Sequence, residues 1–164
     1  EMVSICLEIT TTRDIARQIL RHRSFSFQEF SQRYADPTKH LKSVRREARL
    51  QDLKNRQNSI EIEDNSLQQQ WMGQQDSVYL AAVKAYTWAI EMGIAKEQAR
   101  AVLPEGLMES RLYVNGTLRS WIHYIELRQS NGTQKEHREI AMACADAITK
   151  IFPMGKDYLA PPKK

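Results

Sequence analysis

The chain has 164 residues, 41% hydrophobic and 27% charged, a globular composition long enough to bury the core of about one domain. Collagen-like, mucin-like and fully disordered readings are excluded, and no apolar run approaches the roughly 20 residues that a membrane-spanning helix needs. With 24 Lys and Arg against 20 Asp and Glu, the net charge of +4 favours an anionic partner, whether nucleotide, phosphorylated cofactor or nucleic acid.

In chain order, Val3, Ile5, Leu7 and Ile9 alternate with Ser4, Cys6 and Glu8, which predicts a half-buried strand over Met2 to Thr10. Hydroxyl and carboxylate caps in TTTRD, followed by Ile15, Ala16, Ile19 and Leu20 at helical spacing, predict a helix from about Thr12 to His22. The pattern is lost between Ala35 and Asn65, where ADPT reads as a turn, the 39–58 stretch as charged and irregular, and SIEIEDN as a short strand or linker. Trp71, Val78, Ala81, Ala82, Ala85, Trp88, Ala89 and Met92 mark a long amphipathic helix over Ser66 to Met92, ended by Gly93. AKEQARAVL is a short helix stopped by Pro104, RLYVNGT a brief strand or extended turn, LRSWIHYIELR a helix, and Gln134 to Phe152 a final helix. Trp71, Trp88 and Trp121 read as packing residues, and the tail from Phe152 as mostly irregular. The whole is one mostly helical α+β domain with a small antiparallel sheet.

Cys6 and Cys144 lie far apart and the four histidines are scattered. Neither a disulfide framework nor a metal site is indicated, and both cysteines read as core residues in a reducing setting. That setting is the cytoplasm, or the host cytoplasm for a viral chain. The opening Glu1, in place of a methionine, leaves room for an upstream segment and any targeting signal within it.

The densest polar information is QILRHRSFSFQEFSQRY, from Gln18 to Tyr34. Arg21, His22 and Arg23 stand at a helix end, and Ser26, Gln28, Glu29, Ser31 and Arg33 follow within ten residues. Planar guanidinium forks match phosphates or paired carbonyls, and a glutamate beside hydroxyls can accept from a sugar or base. Taken alone, the same residues also describe a solvated basic helix end that complements the helix dipole.

Arg21-His22-Arg23, seven residues, then Ser31-x-Arg33 resembles the signature of the flavin-dependent thymidylate synthases. The resemblance continues through ARAVLP at 99–104, Arg111 ahead of VNGTLRSW, LR at 127–128 and TQKEHR at 133–138, so it spans nearly the whole chain. Two departures stand out. The family has some fifty further residues before the point where Glu1 stands, and His137 occupies a position where many members carry isoleucine.

The resemblance implies that Glu1, Arg21, His22, Arg23, Glu29 and Arg128 contact FAD. It implies that Gln18, Arg21, Glu29, Ser31, Arg33, Arg111 and Arg138 hold deoxyuridine monophosphate (dUMP), with Arg138 as the catalytic residue beside the uracil. It further implies NADPH and methylenetetrahydrofolate as co-substrates, and a homotetramer whose active sites are shared. Methylating uracil needs a hydride that no side chain supplies, so a redox cofactor fits the chemistry. Without the resemblance, Arg138 reads instead as a surface arginine paired with Glu139 or Glu136. Phe25, Phe27, Phe30 and Tyr34 offer either a ring-stacking partner or core contacts, and NGT at 131–133 reads as a turn near a phosphate. The competing function is a basic nucleic-acid-binding module using the Arg21 to Arg33 segment and the 39–56 charge run, and a third is a scaffold built on the long helix.

Overall fold

The computed structural model of the chain describes residues 2–130 and 132–153. The readings made above for Glu1, Asn131 and the tail beyond Pro153 lie outside that range. About half the chain is helical, and one small antiparallel sheet organises the rest of the core.

The alternating N-terminal segment forms β1, Ser4–Thr12. It pairs antiparallel with β5, Glu109–Thr117, from Ser4 opposite Thr117 to Thr12 opposite Glu109. A short strand β2, Ser26–Glu29, pairs with the other side of β5, giving the order β1-β5-β2. RLYVNGT is therefore part of the nine-residue central strand, rather than a brief one. Ser110, Leu112, Val114 and Gly116 face inward, while Arg111, Tyr113 and Asn115 face solvent. That period of two is short and polar enough in sequence to pass for a turn.

Helix α1, Arg13–Ile19, follows β1 directly and is shorter than the predicted span to His22. Arg21 N–H bonds to Gln18 O and His22 N–H to Ile19 O at 3.0 Å, turns that close the helix early and send the chain back toward β5 as β2. The arginine-histidine-arginine triplet thus occupies the turn between α1 and β2. Helices α5, Leu118–Arg128, and α6, Lys135–Ile151, cover the inner face of the sheet beside α1. Ile9, Ile15, Ile19, Leu112, Trp121, Ile125 and Ile148 make the centre of the core. Trp121 donates from Nε1 to Ile5 O at 3.1 Å. A Cβ on Gly116 would lie 2.4 Å from Phe25 Cδ1. Only glycine lets that ring close over β5 against Trp121.

The stretch without periodicity contains a one-turn helix α2, Pro37–His40, and a hairpin of β3, Arg49–Gln51, and β4, Ser59–Glu61. Asp52 accepts from the backbone N–H groups of Lys54 and Asn55, which bends the hairpin loop and lowers the carboxyl pKa. Helix α3, Asn65–Glu91, is capped by Asp64, which accepts from Ser66 N and Leu67 N, and it ends at Gly93 with φ 78°. The short α4, Lys96–Ala99, and a single 3-10 turn then lead to Pro104.

Two packing expectations are corrected. Trp121 is fully buried, but Trp71 and Trp88 are 43% and 57% exposed. Helix α3 buries Gln75, Ala82, Tyr86 and Ala89, leaving Val78, Trp88 and Met92 on the surface of the single chain. Cys144 is buried as expected, whereas Cys6 is exposed, because strand alternation turns it to the solvent face with Ser4 and Glu8. Among the described residues, no helix is long and apolar enough to cross a membrane, and no group of His, Cys, Asp and Glu could hold a metal ion.

Candidate active site

The turn after α1 brings His22 against α5 and α6. Arg128, in the last turn of α5, donates from Nε to His22 Nε2 at 3.0 Å. Partial burial and the adjacent guanidinium lower the pKa of His22, which keeps it neutral and able to accept that bond. Arg21 and Arg23, on either side, are exposed, and neither has a carboxylate partner among the described residues. The His22 ring stands edge-on to Tyr124, with centroids 4.9 Å apart.

Behind His22 runs a buried polar chain. His137 is 0% exposed, with Nε2 3.1 Å from Tyr124 Oη and Nδ1 3.2 Å from Gln18 Oε1. Gln18 in turn donates from Nε2 to Gln134 Oε1 at 2.9 Å. Burial first, then the charge of Arg128 and the ring of His22, push the His137 pKa down to about 4. Burial also raises the Tyr124 pKa, so both groups are neutral at pH 7.

Gln134 opens onto a cleft of about 640 Å³, within the size range of small-molecule sites. The first turn of α6 supplies Gln134, Lys135 and Arg138; the hairpin supplies Arg49, Leu50 and Arg56; and α3 supplies Leu67 and Trp71. Lys135 Nζ bridges Glu47 Oε1 at 2.5 Å and Glu61 Oε1 at 2.6 Å, tying the hairpin to α6. These bonds raise the Lys135 pKa and lower that of Glu61. Arg49 is neutralised by Glu136. The cleft thus combines an aromatic wall at Trp71 with guanidinium groups at Arg56 and Arg138, a lining suited to a flat anionic ligand.

The remaining candidates are spread over the chain. Glu29 points to the covered side of the sheet, accepting from Ser110 Oγ at 2.7 Å and lying 3.6 Å from Arg13. Ser31 is half-buried, and its backbone O accepts from the N–H groups of Tyr34 and Ala35. Arg33 is exposed and pairs with Glu97 at 3.1 Å, and Arg111 pairs with Glu8 at 3.5 Å on the solvent face of the sheet. One chain therefore gathers Gln18, His22 and Arg128 around the buried network, links it through Gln134 to the cleft of Arg138, and leaves Glu29, Ser31, Arg33 and Arg111 elsewhere. Phe25 is buried in the core and Tyr34 is 77% exposed. Gln134, Tyr124 and the cleft-lining role of Trp71 were not foreseen. Nor was His137, although its place on the inward stripe of α6 with Ala141, Cys144 and Ile148 is a signal the sequence carries.

The basic run that suggested nucleic-acid binding is largely consumed inside the fold. Arg45 pairs with Asp76 at 2.5 Å, Arg46 with Asp14 at 2.7 Å, and Arg49 with Glu136.

Comparison with known proteins settles the family. The sequence pattern of the family described as thymidylate synthase complementing protein matches residues 1–154. A flavin-dependent thymidylate synthase of Synechocystis sp. is 52% identical over 153 residues, covering 93% of this chain and 69% of that protein. The chain belongs to the flavin-dependent thymidylate synthase family. A protein of Paramecium bursaria Chlorella virus 1, named "probable flavin-dependent thymidylate synthase", is 48% identical over 157 residues, covering 93% of this chain and 69% of that protein. Among solved structures, the UMP/dUMP methylase PolB of Streptomyces cacaoi bound with 5-Br dUMP superposes with a TM-score of 0.75 at 26% identity, covering 94% of this chain and 69% of that one.

Family membership makes FAD the expected cofactor, and the turn after α1 fits such a group. Among the described residues its two exposed guanidiniums meet no counter-charge, and they flank a histidine that receives a hydrogen bond from Arg128. A pyrophosphate answers that arrangement, because paired arginines bind phosphate oxygens in a planar fork.

Proposed function

We propose that residues 1–164 lie within the thymidylate synthase domain of an enzyme that methylates dUMP at carbon 5, in the cytoplasm, using methylenetetrahydrofolate as carbon donor and NADPH as the source of reducing power. The observation that carries this reading is the family match over residues 1–154, on a fold that joins the Arg21-His22-Arg23 turn to Arg128 and, through Gln18 and Gln134, to the Arg138 cleft. When bound, FAD supplies the hydride that completes the methyl group.

The chain's own residues then have separable tasks. Arg21 and Arg23 grip the flavin phosphates, and neutral His22, held by Arg128, orients against the ring system. Gln18, Glu29, Ser31, Arg33 and Arg111 hold the nucleotide. Arg138 stabilises the negative charge that develops on the uracil carbonyl as carbon 5 becomes nucleophilic, the electrostatic role of an oxyanion hole. Neither cysteine suits nucleophilic attack: burial pushes the Cys144 thiol up to about 12, and Cys6 lies on the far face of the sheet from the cleft-forming helix α6.

Assembly completes the site. Glu29, Arg33 and Arg111 do not meet the cleft within one chain, and α3 carries an exposed apolar stripe at Val78, Trp88 and Met92. A homotetramer that buries this stripe and shares its active sites accounts for both observations. Purified protein is expected to be yellow, to release tritium from 5-tritiated dUMP only with NADPH and methylenetetrahydrofolate present, and to sediment well above the 19.1 kDa of one chain. A colourless protein that releases no tritium overturns the enzymatic reading. A yellow monomer that turns over overturns the shared site alone.

A further inference from the structure

A second, smaller cleft of about 250 Å³ opens beside α1. It gathers groups from three separate elements: Arg13 and Arg17, about one turn apart on α1; Gln32, in the loop after β2; and Arg100, in the 3-10 turn after α4. The charges there do not balance. Glu105 accepts from Arg17 and lies 3.8 Å from Arg13 Nε, while Glu29 lies 3.6 Å from Arg13 Nη1 and already accepts from Ser110. Arg100 meets no carboxylate among the described residues, and its bond from Nε to Glu97 O, at 3.3 Å, uses neither terminal nitrogen. The hydrogen bonds do not balance either. Gln32 is 3% exposed, yet its Nε2 has no hydrogen-bond partner among the described residues, and the same holds for the buried Nη1 of Arg13. Buried donors are costly to leave unbonded. Both of these are donors in a setting of excess positive charge, so the group that satisfies them is an anionic acceptor. Turning the Gln32 amide over would leave the Arg13 donor and the excess charge unchanged.

We propose that this cleft binds a tetrahedral oxyanion of the inorganic phosphate class, at a site separate from those assigned above to flavin and dUMP. Its donors come from a helix, a loop and a 3-10 turn, directions that the four oxygens of a tetrahedron can meet and the two of a planar carboxylate cannot. The volume of about 250 Å³ falls below the roughly 300 Å³ at which sites for whole small molecules begin. It is ample for a single phosphate. A phosphate held there ties the start of α1 to the loop that carries Ser31 and Arg33, and ties both to the turn that follows α4.

The test is a titration of the full chain with inorganic phosphate, read by thermal unfolding at an ionic strength held constant with chloride. Flavin and dUMP are present at saturating concentration, so that the phosphate-binding groups proposed for them are occupied. Wild type is expected to show a saturable rise in unfolding midpoint, about 4 °C at ten times the dissociation constant. Gln32→Leu and Arg100→Gln are each expected to weaken phosphate binding at least about tenfold, the worth of one hydrogen bond to a charged group. Arg100 is only half-buried, so its variant decides the matter if Gln32→Leu does not fold. Lys84→Gln, which removes one positive charge from the exposed surface of α3, is expected to leave the affinity unchanged. No saturable rise in wild type, a rise that dUMP abolishes, or the same affinity in wild type and the folded cleft variants overturns the proposal, as does an equal loss in Lys84→Gln. A protein that binds phosphate in this way but releases no tritium from dUMP overturns the enzymatic reading alone.

Discussion

Replacing His137 with isoleucine removes a buried titratable group and so changes how stability depends on pH. In the folded chain the imidazole is 0% exposed, and its pKa is pushed from 6.5 down to about 4 by burial and by the neighbouring Arg128. The unfolded chain takes up a proton at the ordinary value and the folded chain resists it, so acid favours unfolding. The neutral imidazole carries no penalty above about pH 6.5, and stability falls steadily as the pH drops from there toward 4. At pH 5 the unfolded group is protonated through about 1.5 pH units while the folded group is still mostly neutral, which amounts to about 2 kcal/mol. Urea unfolding at pH 7.5 and pH 5.0, at one fixed protein concentration, measures this directly. Wild type is expected to lose about 2 kcal/mol more than His137→Ile over that interval. His22 shifts in the same direction but is present in both proteins. Equal losses in the two proteins refute the claim that a neutral histidine is locked in the core.

Other expectations follow from single contacts. Gly116→Ala forces the Phe25 ring away from a Cβ that would lie 2.4 Å from Cδ1, and is expected to lower stability by about 1–3 kcal/mol, read by denaturant melts. Arg138→Ala is expected to retain the yellow flavin yet lose at least about a hundredfold in tritium release, and unchanged turnover overturns its assigned role. Trp88→Glu puts a charge on the exposed stripe of α3; it is expected to lower the sedimenting mass toward one chain, and an unchanged mass removes that stripe from the interface.

Much of the fold was legible because long elements carry strong periods. Helices α3, α5 and α6 fall within two residues of the spans read from their apolar spacing and caps. The sheet was harder. Strand β1 shows clean alternation, but β5 mixes Arg111, Tyr113, Asn115 and Gly116, and β2 is only four residues long. Their strand character comes from pairing partners distant in sequence, which no local window contains. The exposure of Trp71 and Trp88 has a similar origin. Hydrophobic spacing shows that a helix face is apolar and leaves open whether another element of the same chain or a second copy covers it.

The site divides along the same line, and the geometry of the sheet makes the division testable. In β5, Arg111 and Leu112 are neighbours and point to opposite faces; Glu29, the register partner of Leu112, points with it to the covered side. Within one chain a nucleotide touching Glu29 and Arg111 has the sheet between its two contacts. If both hold dUMP, each site draws Glu29 from one copy and Arg111 from another. Glu29→Ala and Arg111→Ala are then each inactive alone, but tetramers reassembled from an equal mixture contain sites built from one intact Glu29 and one intact Arg111. Random mixing places both intact groups at about a quarter of the sites, so about a quarter of wild-type tritium release is expected to return. If both residues served a site from the same chain, every site in the mixture would lack one of them and no activity would return, which refutes the shared arrangement whatever the sedimenting mass.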